Sequence, residues 1–164
     1  MSEYKLSSTA QVSVKAAKDI IDMFFSKVPK VKAFLNMLGD LGKRNGYIRT
    51  DPYFRRIRWF PEKDEKDFKV MGSIERASKN TIPQGINASI TKYALVLLQN
   101  KIDYNRYPVR ILLTIHDSIV TESRKDFSER WKVILNDTMV EAAQILIKTV
   151  PIKVDYYISD RWKK

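Results

Sequence analysis

The chain has 164 residues, 44% of them hydrophobic, and carries a net charge of +11 from 30 Lys and Arg against 19 Asp and Glu. A single domain of this length buries roughly two-thirds of its unfolded surface, no run approaches the ~18 consecutive apolar residues of a membrane helix, and the N-terminus lacks a secretory apolar region. The absence of Cys and the single His exclude disulfides, thiolate metal sites and His-rich zinc sites, while a pI near 9.8 favours a polyanionic partner, nucleic acid or an acidic protein surface.

Ser13 is placed to cap a helix over Val14–Val28, in which Ala17, Ile20, Ile21, Phe24 and Phe25 are spaced as one buried stripe. Pro29 ends it. Val31, Phe34, Leu35 and Leu38 then predict a second amphipathic helix, running to Arg44 and stopping at Asn45-Gly46. Tyr47–Arg49 and Arg55–Trp59 read as a hairpin around Asp51-Pro52, and the charged run Glu62–Lys69 as a solvated loop. A short helix is expected over Ser73–Lys79, broken near Pro83. Ile86–Asn100 is apolar on nearly all sides and predicts a helix buried against a sheet.

Two strands, Arg110–Ile115 and Ser118–Glu122, flank His116-Asp117. A two-residue hairpin turn normally takes Asn-Gly, Asp-Gly or a leading Gly, because the tight turns require positive φ. Turn chemistry is therefore overridden where an imidazole and a carboxylate meet, a conflict that often marks a functional site. Beyond it, Ser123-x-x-Asp126 has the pattern of a capping box opening a helix to about Lys148, with Phe127, Trp131, Ile134, Leu135, Met139 and Leu146 inward. Pro151 leads into a last strand, Ile152–Ile158. The sum is an α+β fold: a small antiparallel sheet covered on one face by helices.

Several segments together carry a resemblance. Glu75-Arg76-Ala77-Ser78-Lys79-Asn80 with Gln84-Gly85 precedes His116-Asp117; Phe24-Phe25-Ser26-Lys27-Val28-Pro29-Lys30-Val31-Lys32 lies upstream, followed by Gly46-Tyr47-Ile48-Arg49-Thr50 and Arg55-Arg56, and Trp162 stands near the end. Their order and spacing over nearly the whole chain resemble the C-terminal part of family A DNA polymerases, the DNA polymerase I type, in which the His-Asp pair is called motif C. That resemblance implies residues 1–46 as the helical hairpin ending the fingers and 47–164 as a partial palm. A full polymerase of this type also has a motif A with a further metal-binding Asp and a motif B that holds the incoming nucleotide, and neither is present in these 164 residues. The expectation is a C-terminal piece, either a separately encoded subunit of a split polymerase or an excised fragment, working in the cytoplasm; a phage or other mobile replicon suits such a division.

The resemblance also implies roles. Asp117 is the motif C carboxylate, a ligand in a two-Mg²⁺ site completed by a partner carboxylate from motif A. His116 positions the primer terminus. Arg76, Asn80 and Gln84 are minor-groove donors at four-residue spacing, with the proline one place later than the family's usual spacing; Arg55 and Arg56, beside Arg58, Phe54 and Trp59, are phosphate contacts. Many relatives carry a second acid after the aspartate, where this chain has Ser118; Glu122 is a weaker candidate further along the strand. The partners expected are primer–template DNA, a dNTP and the upstream polymerase subunit with motifs A and B, with no membrane. The alternative is a non-catalytic, basic nucleic-acid-binding accessory protein that retains a polymerase-like surface.

Overall fold

The structure, a computed structural model, describes residues 2–65 and 67–161. It divides into two compact units: one takes the chain up to Ile48 together with Trp59–Asn80, the other Arg49–Arg58 and the chain from Thr81 onward.

The first unit is built mainly from helices. Helix α1, Glu3–Ala10, was not anticipated; the Ser2 hydroxyl caps it by accepting from the Lys5 N–H, and Gln11 ends it in the left-handed region. In α2, Val14–Lys27, the Ser13 hydroxyl accepts from the Ala16 N–H at 3.1 Å, which satisfies one of the orphan donors of the first turn. Pro29 both stops α2 and opens α3, Pro29–Asn45, where a missing N–H costs nothing. Gly46, at φ 73°, closes α3 by donating its N–H to the Gly42 carbonyl. The expected stripe on α2 is narrower than its spacing suggests: Ala17 is buried and Ile21 and Phe25 half-buried, but Ile20 and Phe24 are exposed. Packing against α1 and α3 covers one row at four-residue intervals and no more.

Strands β1, Tyr47–Arg49, and β2, Ile57–Trp59, pair as a two-stranded ribbon, so Arg55 and Arg56 fall in its turn and not in the strand. Pro61–Asp64 forms one turn of 3-10 helix that overlaps the start of the charged run expected to be a loop. The largest departure is α4, a single helix over Phe68–Asn105 with Pro83 inside it. The expected break at Pro83 does not occur. Pro83 removes one donor, the N–H that would have bonded the Lys79 carbonyl. Buried side chains on both sides of it, Ile74, Ser78 and Thr81 before and Ser89, Thr91 and Ala94 after, keep the helix running. In the first unit α3 lies so close to α4 that a Cβ on Gly42 would meet the Ser78 Oγ at 1.8 Å.

In the second unit, β3, Val109–Ile115, pairs antiparallel with β4, Ser118–Ser123, with an irregularity between Ile111 and Leu113. One face packs into a core of Leu98, Ile102, Val109 and Trp131, extended by Tyr107, Ile111, Ile119, Phe127, Ile134 and Leu135. The Trp131 indole N–H donates to the Thr121 hydroxyl at 2.8 Å, so this buried ring keeps its polar atom satisfied. The capping box does not form. Arg124 takes Asp126 in an ion pair, residues Lys125–Phe127 make a 3-10 turn, and α5 begins at Ser128 without a side-chain cap and ends at Gln144, short of Lys148. Residues 152–158 form no strand: a strand needs a hydrogen-bonding neighbour, and none of the described strands lies against them. Trp162 lies outside the described residues. The architecture is thus helix-rich and mixed, with two small antiparallel ribbons where one sheet was expected. None of the described helices is long and apolar enough to cross a membrane.

Candidate functional site

The register of β3 and β4 puts Ile115 opposite Ser118, which leaves His116 and Asp117 as the whole of the connecting turn. His116 has φ 55°. Asp117 is not in that region, so the pair has the signature of a turn with positive φ only at its first central residue, a position that normally takes glycine. Both side chains are exposed, and among the described residues neither makes an ion pair or side-chain hydrogen bond. The Asp117 carboxylate therefore projects from the tip of a ribbon whose other end is anchored in the Trp131 core. Ser118 and Glu122 are also exposed, Glu122 opposite Arg110 in the ladder.

Among the described residues, four other than glycine have positive φ: Gln11, Arg55, Arg106 and His116. Gln11 and Arg106 end helices, where a left-handed residue is ordinary. Arg55 and His116 sit in the two ribbon turns, and both are residues selected from the sequence. Backbone held in such a region costs of the order of 1–3 kcal/mol and tends to cluster at functional sites.

Arg76, Asn80 and Gln84 lie at four-residue intervals on the uninterrupted α4, so the helix that Pro83 was expected to break carries all three. Each is exposed, and none has a side-chain hydrogen bond or ion pair among the described residues. Their donors are unspent.

The arginine turn is built from the second unit alone. The Thr50 N–H donates to the Arg56 carbonyl at 2.9 Å and closes the loop. Inside it the buried Asp51 accepts from the Tyr53 and Phe54 N–H groups at 3.0 and 2.5 Å, and from the Thr50 hydroxyl at 2.7 Å. Burial opposes ionisation of Asp51 more than any single contact favours it; the hydrogen bonds from Thr50, Phe54, Arg55 and Tyr53 together outweigh burial and hold the carboxyl below its ordinary value. The loop is fixed to α4 at two points. Thr50 lies so near Gly85 that a Cβ there would meet Thr50 Cγ2 at 2.2 Å, and the Phe54 ring packs on Tyr93 with centroids 5.8 Å apart. Arg55 and Arg56 are exposed at its surface.

The sequence alone gives Glu75 no role. In the first unit it accepts from Lys79 at 2.5 Å and Lys43 at 3.2 Å, and Lys43 also meets Asp40 at 3.1 Å. The Lys79 contact, then that of Lys43, hold the Glu75 carboxyl below its ordinary value against the cost of burial. The four-residue spacing of Glu75 and Lys79 was a readable signal; the contact with α3 was not. Asp51 was likewise read only as a turn residue.

The model of DNA polymerase family A matches residues 1–164. The chain belongs to that family. DNA polymerase I of Bacillus caldotenax is 31% identical over 162 residues, 99% of this chain and 18% of the relative. DNA polymerase I of Bacillus subtilis is 30% identical over the same share of each. This family A chain thus spans about a fifth of the length of the curated relatives it matches. Among solved structures, the POL domain of Pol1 from M. smegmatis in complex with DNA primer-template and dNTP matches with a TM-score of 0.79 and 28% identity, covering 86% of this chain and 24% of that one.

Proposed function

We propose that these residues are the motif C portion of a DNA-directed DNA polymerase, with residues 1–46 the end of the fingers and 47–164 part of the palm. They supply Asp117 and primer–template contacts for template-dependent nucleotidyl transfer, and they act only together with the polypeptide that carries motifs A and B, in the split reading a separate subunit. The observation that carries this reading is the His116-Asp117 turn: an exposed, unpartnered carboxylate on a fixed ribbon tip, in a chain of this family.

Magnesium fits the donor present, since a hard cation selects carboxylate oxygen and commonly uses only one or two protein carboxylates. In this reading Asp117 would be one ligand, and the carboxylate of motif A would complete the site. When bound, the ions would lower the pKa of the attacking hydroxyl and neutralise charge on the transferred phosphoryl group. The chain's own residues bind and orient. Asp117 fixes one carboxylate at the reacting centre. His116, on the same turn, hydrogen-bonds the primer's terminal sugar-phosphate. Arg76, Asn80 and Gln84 donate to the minor-groove acceptors shared by the base pairs, which tests pair geometry with little sequence preference. Arg55 and Arg56 take phosphates. DNA and a nucleotide are what the Pol1 relative binds, and this reading extends both to the assembled enzyme.

The test is primer extension in Mg²⁺ by the tagged chain assembled with its motif A and B partner. Asp117→Ala is expected to lose extension by about 10³-fold or more while primed-template affinity stays within twofold, because it removes an interaction made in the transition state. Equal extension by both proteins would sink the assignment. If neither extends although DNA is retained, the accessory-protein alternative stands instead.

A further inference from the structure

The arginine turn contains a buried acid that the proposed function does not use. Asp51 is 8% exposed and lies four residues before Arg55, in a chain whose proposed partner is a polyanion. A negative charge there is unfavourable for phosphate binding by Coulomb's law alone. Its hydrogen bonds explain its presence. They tie Thr50, Tyr53 and Phe54 into one loop, and the next residue, Arg55, is held at φ 52°, a conformation that an arginine avoids when free. Thr50 is in turn fixed against Gly85, and Phe54 against Tyr93, so the loop has no slack toward α4. Both arginine side chains are left exposed without an ion pair among the described residues.

We propose that Asp51 is a positioning residue for nucleic-acid binding, holding Arg55 and Arg56 in the one loop conformation from which both guanidinium groups reach consecutive phosphates of the DNA. This rests on the proposed role of the two arginines in DNA contact. It gives the loss of Asp51 a sign opposite to that of a spectator charge. Removing a spectator acid beside a basic site strengthens DNA binding; removing the residue that arranges the arginines weakens it.

The experiment is equilibrium binding of the full chain to a primed-template duplex by fluorescence anisotropy across a salt series. The proteins are wild type, Asp51→Ala, Thr50→Val, Arg55→Ala/Arg56→Ala and the triple variant Asp51→Ala/Arg55→Ala/Arg56→Ala. The arginine pair should reduce the salt slope by about 2, close to 0.9 for each duplex phosphate released. Asp51→Ala should weaken binding about fivefold to tenfold and lower the slope by about 1. It should add nothing in the triple variant, the non-additivity expected of residues acting through one another. Thr50→Val keeps the methyl group against Gly85 and loses the hydroxyl that grips Asp51. It should weaken binding in the same direction, and it carries the test if Asp51→Ala loses its cooperative thermal transition. Tighter or unchanged binding by folded Asp51→Ala or Thr50→Val would overturn the inference, as would an additive loss in the triple variant. Unchanged binding by the arginine pair would remove the phosphate role of the arginines, and the positioning role with it.

Discussion

Glu75 and Asp51 hold two different parts of the structure, and both couple stability to acid. Each has its carboxyl held below the ordinary value, Glu75 by Lys79 and Lys43, Asp51 by hydrogen bonds that outweigh burial. A group with a depressed folded pKa contributes stability that is complete above its unfolded value, about 4.3 for Glu and 3.9 for Asp. That contribution is lost as the pH falls through the lower folded value. The urea midpoint should therefore lose the Glu75 and Asp51 contributions below about pH 4, and Glu75→Gln should fall less steeply over the same range. A wild-type and Glu75→Gln pair with parallel acid limbs would show that the Lys43–Glu75–Lys79 contacts contribute nothing. The site residues were legible to different degrees for physical reasons. His116 and Asp117 could be read because they break local turn chemistry. Asp51 and Glu75 could not be read fully, since their importance comes from partners folded onto them, Thr50 beside Gly85 in one case and Lys43 on α3 in the other.

At the scale of elements, α4 separates local propensity from tertiary context. A helix over Ile86–Asn100 was legible from its apolar residues, and so was one before Pro83; their continuity was not. Proline costs about 3 kcal/mol relative to alanine in a helix interior. Its stiffening of the unfolded chain returns about 0.4–1 kcal/mol. Pro83 is exposed, so its replacement removes little packing. Pro83→Ala should then stabilise by about 2 kcal/mol and raise the Tm by several degrees. A lower Tm would show that the helix is shaped around the proline ring. Caps divided in the same way. Ser13 and Gly46 worked as read, because capping is decided within one turn of helix. The Ser123 and Asp126 pattern failed because Arg124 captured the acid and β4 kept the serine as its last residue. The strand expected at 152–158 has the right composition and no described strand to pair with, a requirement that a sequence window does not contain.

For the whole molecule, each unit leaves large apolar side chains in water. In the first these include Met23 and Phe24 on α2 and Val31, Phe34 and Met37 on α3, with Phe24 60% exposed. In the second they include Leu112, Leu113 and Ile115 on β3 and Tyr156, Tyr157 and Ile158 after α5. Apolar side chains left exposed in this number suit surfaces that are covered on assembly, and the proposed function names what would cover them, the polypeptide with motifs A and B. The chain alone should bind a hydrophobic dye, and that signal should fall when the complementing polypeptide is added; an unchanged signal in an assembled complex would separate these surfaces from assembly. The central claim, that Asp117 ligates the catalytic metal, is tested most directly by changing the ligand atom. The chain has no cysteine, so Asp117→Cys introduces its single thiol. A thiolate disfavours Mg²⁺ and accepts softer ions. Primer extension by the assembled Asp117→Cys enzyme should be absent in Mg²⁺ and partly restored by Mn²⁺ or Cd²⁺, with no such restoration in Asp117→Ala. Extension in Mg²⁺ at the wild-type rate would contradict the account.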